Sequence, residues 1–280
     1  MATTRELRRR IRSVKTTRQI TRAMELVASS KLRGAVKAAS ASQQYSKGLV
    51  DVLAHVLGQA EDVRNPLLKP TTGTKVLAVV FSSDQGLAGM FHSNNFKASL
   101  LFSPDTQYYV LGKRLSASLK RVKRILVPHD TVLSRTLHAS EVTPIMQDIV
   151  RLYLTGEYRS VQLIATQYHS ALTQKTITTE LLPLSLQSRQ PTTVQTLLIE
   201  PDVNQVVDAL IIQTLTAQLL EAARQTRASE FAIRRMAMHS ATENAGELIE
   251  KYTLAYNRAR QAAITTEIAE IVGGAAALSR

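Results

Sequence analysis

The chain has no cysteine. That excludes disulfides, thiolate metal sites and thiol-based redox control. Proline is missing from both ends, for all eight prolines lie between Pro66 and Pro201. The ends therefore read as long helices. Aromatic residues are absent from the first 44 positions. This removes the stacking platforms that single-strand nucleic-acid binders use. No apolar run approaches the ~20 residues that span a bilayer, so no direct membrane span is expected. The six histidines are scattered with no pair at metal-ligand spacing, and no G-x-S-x-G elbow occurs. No catalytic residue, metal or cofactor is expected.

What is present begins with the last third, Val203 to Leu278, whose only glycines are Gly246, Gly273 and Gly274. Met238, Ala241, Ala245, Leu248, Tyr252, Ala255, Ala259 and Ala262 step by threes and fours, a heptad seam. A helix of that length, at about 1.5 Å per residue, exceeds the width of a compact domain, which points to a coiled coil. The N-terminal stretch to about Gln59 is also helical, with Thr3 or Thr4 as cap and Glu6 in the first turn. Its apolar stripe runs Leu7, Ile11, Val14, Ile20, Met24, Val27. A second seam follows: Ala38, Ser42, Tyr45, Leu49, Val52, Val56.

Neither helix is stable alone in water, so the two are expected to pair. If residue 57 lies beside about residue 207, they run antiparallel with position numbers adding to about 264. The N-terminus is then exhausted opposite about residue 263, and an apolar tip (Ile264, Ile268, Ile271, Val272) projects unpartnered, in need of a socket. The alternative is a frayed terminus stopped by Gly273 and Gly274.

Charge is concentrated at the start. Residues 1 to 37 carry eleven basic side chains against Glu6 and Glu25, or +9 of the chain's +13. Such a face meets something acidic or stays solvated. A basic coiled-coil nucleic-acid binder is the alternative function on these grounds. The stretch is arginine-rich and acid-poor like an organellar transit peptide, but its helical pattern continues past residue 40 without a cleavage site, which argues against removal and for a bacterial source.

The middle alternates strands and helices, an open α/β sheet. Strands are expected at Lys75–Phe81, Tyr108–Leu111, Arg124–Val127, Ser160–Gln167 and, as an edge, Lys175–Leu182. Helices are expected at about His92–Leu101, Arg114–Lys120 and Glu141–Thr155. The glycine turn Ser82 to Gly89 matches neither G-x-G-x-x-G nor G-x-x-x-x-G-K-S/T and reads as structural, with Asp84 bonding its own backbone. A small-molecule enzyme would place its ligand at this turn. The domain boundaries are 1–62, 63–202 and 203–280, the first and last forming one rod.

Several stretches resemble the γ subunit family of F-type ATP synthase. They are Glu6 to Lys15, Gln19 to Leu32, Tyr256 to Thr265 and Glu270 to Ala277, with Ala228-Ser229-Glu230, Met236-Ala237-Met238 and Glu200-Pro201 between. The glycine turn departs from the family pattern, which has a basic residue at Gln85, a small one at Met90 and an asparagine near Phe91 or His92. The resemblance implies a Rossmann-like domain with a long antiparallel coiled coil, and a central-stalk rotor shaft. That shaft couples ion-driven rotation of the membrane c-ring to conformational cycling of the catalytic β subunits, without a catalytic site of its own. Implied partners are the α and β subunits (one γ per α3β3 hexamer), the ε subunit and the c-ring, with no nucleic acid. The implied location is the periphery of an energy-transducing membrane, on the cytoplasmic face of a bacterial plasma membrane. Residues implied to meet the hexamer are Arg8, Arg9, Arg10, Arg12, Lys15, Met24, Arg260, Gln261, Thr265, Ile268, Ile271 and Val272. Glu200 is implied to meet the c-ring.

Overall fold

A computed structural model describes residues 3–59, 63–131, 133–134, 136–185, 199–200 and 202–278. It divides into two compact units, one of residues 29–234 and one of residues 1–28 with 235–280. Two helices contribute to both: α1, Thr4–Gln59, and α5, Val203–Leu278. Each has a side-chain cap. The Glu6 N–H donates to Thr3 Oγ1 at 3.3 Å, and Asn204 and Gln205 N–H donate to Asp202 Oδ2 at 3.1 and 3.2 Å. Pro201 and the segment 186–198 lie outside the described residues.

The larger unit is built on a five-stranded sheet of order β3-β2-β1-β4-β5. Its strands are β1 (Lys75–Phe81), β2 (Gln107–Leu111), β3 (Ile125–Leu126), β4 (Tyr158–Tyr168) and β5 (Gln174–Leu182). The first four are parallel and β5 is antiparallel to β4. Between them lie α2 (Phe91–Leu100), α3 (Lys113–Arg121) and α4 (Ala139–Leu154). The uninterrupted KVLAVVF run is explained by burial on both faces. Leu77, Val79 and Phe81 turn toward Ile145, Ile149 and the α5 residues Val207, Ile211, Leu215 and Leu219, while Ala78 and Val80 turn toward Leu115 and Leu119 of α3. One stretch of α5 reaches a mean hydropathy of 1.4, apolar enough by composition for a bilayer-spanning helix. The four α5 residues just named are instead buried in the protein's own core.

The α5 helix also finishes the sheet. The Thr166 N–H donates to Thr226 Oγ1 at 3.0 Å, Tyr168 N–H to Gln225 Oε1 at 3.2 Å, and Ser229 Oγ to Thr166 O at 3.0 Å. Side chains thus take over on the β1 side of β4, where the ladder to β1 ends at Ile164. Below them Asn95, fully buried, donates to Phe81 O at 3.2 Å and accepts from the hydroxyls of Thr166 at 2.9 Å and Thr176 at 3.3 Å.

In the larger unit the buried residues of α1 are Leu32, Ala39, Ser42, Ser46, Leu53 and Val56. The expected Tyr45 and Val52 are 52% and 48% exposed, one position off. Small Ala39 and Ser46 permit close approach, and Tyr45 stands at the rim, its hydroxyl accepting from Gln213 Nε2 at 2.8 Å.

In the smaller unit α1 and α5 form the expected antiparallel pair. Arg8 meets Tyr256, Arg18 lies against Gly246, Thr21 meets Thr242 and Glu25 meets His239. In each pair the position numbers add to 263 or 264, the register read from the sequence. The seam positions differ from the expectation. Ile20 and Val27 are exposed, and the inward places belong to Thr21, Glu25 and Ala28. Across from them Thr242 is buried while Leu248 and Ala255 are exposed. Three-and-four spacing admits two registers one residue apart, and the polar pairs decide between them. The Thr242 hydroxyl donates to Thr21 Oγ1 at 2.8 Å, and Thr21 donates to Arg18 O at 3.1 Å. Glu25 accepts from Arg22 at 2.9 Å and faces His239 Nδ1 at 3.1 Å; His239 Nε2 lies 3.3 Å from Glu243.

Asn95→Ala is expected to destabilise the chain by about 2–4 kcal/mol in urea unfolding, because it strands buried hydroxyls and a carbonyl. Burial pushes the Glu25 carboxyl up, but Arg22 and His239 outweigh it and hold it below the ordinary glutamate value. A depressed carboxyl stabilises the fold above its unfolded value and stops doing so as pH falls through the folded one. The melting-temperature deficit of Glu25→Gln, clear at neutral pH, is therefore expected to close in the acid range below the ordinary glutamate value.

Candidate functional site

Thr4 begins α1, and by the register of the pair the partner positions end near residue 260. From Arg260 through Val272 every side chain of α5 is exposed. Helical backbone continues through Gly273 and Gly274 to Leu278, so the glycines do not stop it. The projecting apolar tip expected from the sequence is present. Ile264, Ile268, Ile271 and Val272 stand 47 to 70% exposed. Gln261, Thr265, Ile268 and Val272 follow the helical repeat along one face, with Arg260, Ile264 and Ile271 beside them. Thr265 Oγ1 donates to Gln261 O at 2.9 Å, while the Arg260 and Gln261 side chains lie open.

The basic end of α1 separates into two sets. Arg8 and Arg10 turn back onto the pair. The Arg8 guanidinium donates to the Tyr256 hydroxyl at 2.6 Å and lies 5.5 Å from the ring centroid. Arg10 donates to Glu6 at 2.5 Å. Hydrogen bonds to Tyr256 and to Glu6 raise the two guanidinium pKa values further. Arg9, Arg12 and Lys15 are exposed. Met24 is half-buried on the same helix. Ile20, Leu26 and Val27, absent from the sequence-derived site, add exposed apolar surface around it. Ile20 and Val27 carry a signal in their size and spacing, but it reads as the buried stripe; Leu26 falls outside that stripe.

Glu200 is exposed in the larger unit, just ahead of the Asp202 cap. In the glycine turn, Asp84 does not bond its own backbone. Its Oδ1 accepts from Lys113 N–H at 2.8 Å, so a carboxylate of the chain itself occupies the start of α3, where an anionic ligand would bind. Gly112, at φ +139, permits this approach; a Cβ there would lie 2.7 Å from the Ser82 carbonyl carbon. Buried Arg234 donates to Gln85 O and Gly86 O and pairs with Glu230 at 2.8 Å, fixing the turn from the other side. A cleft of about 860 Å³ opens beside it, its lining including Lys31, Lys113, Lys120 and Arg227 as well as Asp84, Asp130 and Glu230. Among the described residues no three His, Asp or Glu are grouped to hold a metal ion.

A family model described as ATP synthase matches residues 3–278. The chain is 36% identical to the ATP synthase gamma chain of Heliobacterium modesticaldum, with 98% of each chain covered. It is 35% identical to that of Clostridium perfringens (97% of each) and 33% identical to that of Legionella pneumophila (99% of this chain, 100% of the other). Among solved structures, a chain of the Euglena gracilis mitochondrial ATP synthase is similar at a TM-score of 0.67 and 17% identity, over 98% of this chain and 94% of that one. A chain of the Tetrahymena thermophila mitochondrial ATP synthase central stalk and c-ring is similar at 0.58 and 20%, over 79% and 99%. Those two are likenesses of fold. A match along nearly the whole sequence, with relatives of this identity, means that the chain belongs to the ATP synthase gamma chain family.

Proposed function

We propose that the chain is the rotor shaft of an F-type ATP synthase, one copy in each hexamer of alternating α and β subunits. In this reading the helices of 1–62 and 203–280 act as one rod, and the α/β domain of 63–202 is the foot that meets the ε subunit and the c-ring, with Glu200 on the ring. The complex then sits at the periphery of an energy-transducing membrane, on the cytoplasmic face of a bacterial plasma membrane.

The observation that carries the reading is the bare apolar end of α5. A helix that projects isoleucines into water needs an apolar sleeve, and the bore of a ring supplies one. Arg260, Gln261 and Thr265 sit at the base of that tip and would contact acidic loops of the β subunits, with Arg9, Arg12 and Lys15 as an outer basic collar. One asymmetric shaft inside a threefold ring touches the three β subunits differently. Each is biased to its own conformation and nucleotide affinity, and rotation exchanges these states in order. The bond-making chemistry belongs to β.

Mixing the chain with purified α and β subunits is expected to yield one species in gel filtration with one copy per hexamer. Deleting the chain from Ile264 onward should lower its ATPase activity. A chain that elutes alone at high and low salt while binding duplex DNA would overturn the reading in favour of a nucleic-acid binder. Arg260→Ala with Gln261→Ala should reduce ATP synthesis in reconstituted vesicles, while the isolated chain's stability stays within about 0.5 kcal/mol, because both side chains are exposed. Unchanged synthesis would remove these contacts from the mechanism.

A further inference from the structure

The chain carries a second concentration of positive charge that the shaft reading does not use. Between Phe91 and Leu126 seven lysines and arginines face a single acid, Asp105. The fold gathers several of them. α2 and α3 run back against the parallel strands and end at the same edge of the sheet, because the strands that follow them, β2 and β3, are parallel neighbours.

At that edge α3 closes with a left-handed residue. Arg124 N–H donates to Leu119 O and Lys123 N–H to Lys120 O, both at 3.1 Å, with Lys123 at φ +56 where glycine is the usual choice. The turn presents Lys120, Arg121, Val122 and Lys123 to solvent. Arg124 ties it to the neighbouring loop, donating to Ser103 O at 2.6 Å and Phe102 O at 3.1 Å. Thr106 N–H to Ser103 O, at 3.1 Å, closes that loop around Pro104. Leu101 is thereby held 87% exposed, with Val122 and Ile125 also bare among the cations.

Cations interleaved with protruding aliphatic side chains match an anionic lipid surface, where phosphates take the charges and the interface takes the apolar groups. A nucleic-acid face would reward the charges and leave Leu101, Val122 and Ile125 in water. The position agrees. Asn65 Nδ2 donates to Asp208 Oδ1 at 2.7 Å, and the Thr71 hydroxyl donates to the carbonyl of Tyr158, the first residue of β4. The starts of β4 and α5, and with them Glu200, thus lie toward the edge of the sheet where the parallel strands begin. We propose that this edge (Leu101, Lys120, Arg121, Val122, Lys123 and Ile125) rests on the anionic headgroups of a bilayer. Its direction in the complex rests on the shaft reading, in which Glu200 faces the membrane ring. Lipids exchange freely, so such a contact would not stop a turning foot.

The test is co-sedimentation of the full chain with phosphatidylcholine vesicles, with and without phosphatidylglycerol. The chain should bind the anionic vesicles and not the neutral ones. Lys120→Gln, Arg121→Gln and Lys123→Gln together should lower the partition coefficient at least roughly tenfold, and Leu101→Ser should lower it severalfold. Removing three charges from α1 instead, by Arg9→Gln, Arg12→Gln and Lys15→Gln, should leave most of the binding. The proposal is overturned if the α1 variant loses binding and the edge variant keeps it. It is overturned equally if duplex DNA, and not vesicles, is what the edge variant fails to bind. Circular dichroism checks that each variant folds. Hexamer assembly of the edge variant is read separately by gel filtration, so loss of lipid binding and loss of shaft function are distinguishable.

Discussion

The hydroxyl contact between Thr21 and Thr242, with Glu25 against His239 one turn away, sets the register of the paired helices, and the projecting end depends on that register. Apolar heptad contacts alone would tolerate a slip of one repeat with little loss. A slip here would strand buried hydroxyls and a buried carboxylate, each a penalty of order 1 kcal/mol or more. The place where α1 runs out opposite α5, and hence which isoleucines are left bare, follows from a few polar side chains well inside the pair.

A comparable economy operates in the larger unit. β4 outruns its β1 neighbour after Ile164 while β5 stays paired with it to Tyr168, and α5 answers on the open side with Gln225, Thr226 and Ser229. Arg234, paired with Glu230 one turn back on α5, holds the β1–α2 turn by its carbonyls. The motif Ala228-Ser229-Glu230, noted in the sequence only for its resemblance, therefore has a structural meaning. It joins α5 to the ends of two parallel strands through hydrogen bonds that no apolar residue could replace.

Much of this was legible in the sequence. The bounds of β1 and α5 followed from a β-branched run between turn residues and from an absence of proline, signals that depend on local sterics alone. The antiparallel register followed from geometry. The inward faces were harder to read. Tyr45, Val52, Ile20 and Val27 look like core residues by size, but closely packed helices select the small or mutually bonding side chains beside them. Arg8 reads as surface charge because its partner, Tyr256, is brought beside it only by the pairing of the helices, whereas Arg10 has Glu6 one turn back on its own helix and only the rotamers show that the two meet. Asp84 reads as bonding its own turn because nothing in the local sequence announces that α3 begins beside it.

The bare isoleucines on α5 also bear on the life of the protein before it has partners. A helix end with Ile264, Ile268 and Ile271 open to water is a ready surface for a second copy, so unassembled chain is prone to self-association. Its production is best matched in number to that of the proteins that cover it, and a surplus of this one polypeptide would be a burden on the cell's chaperones and proteases even though its folded units are sound.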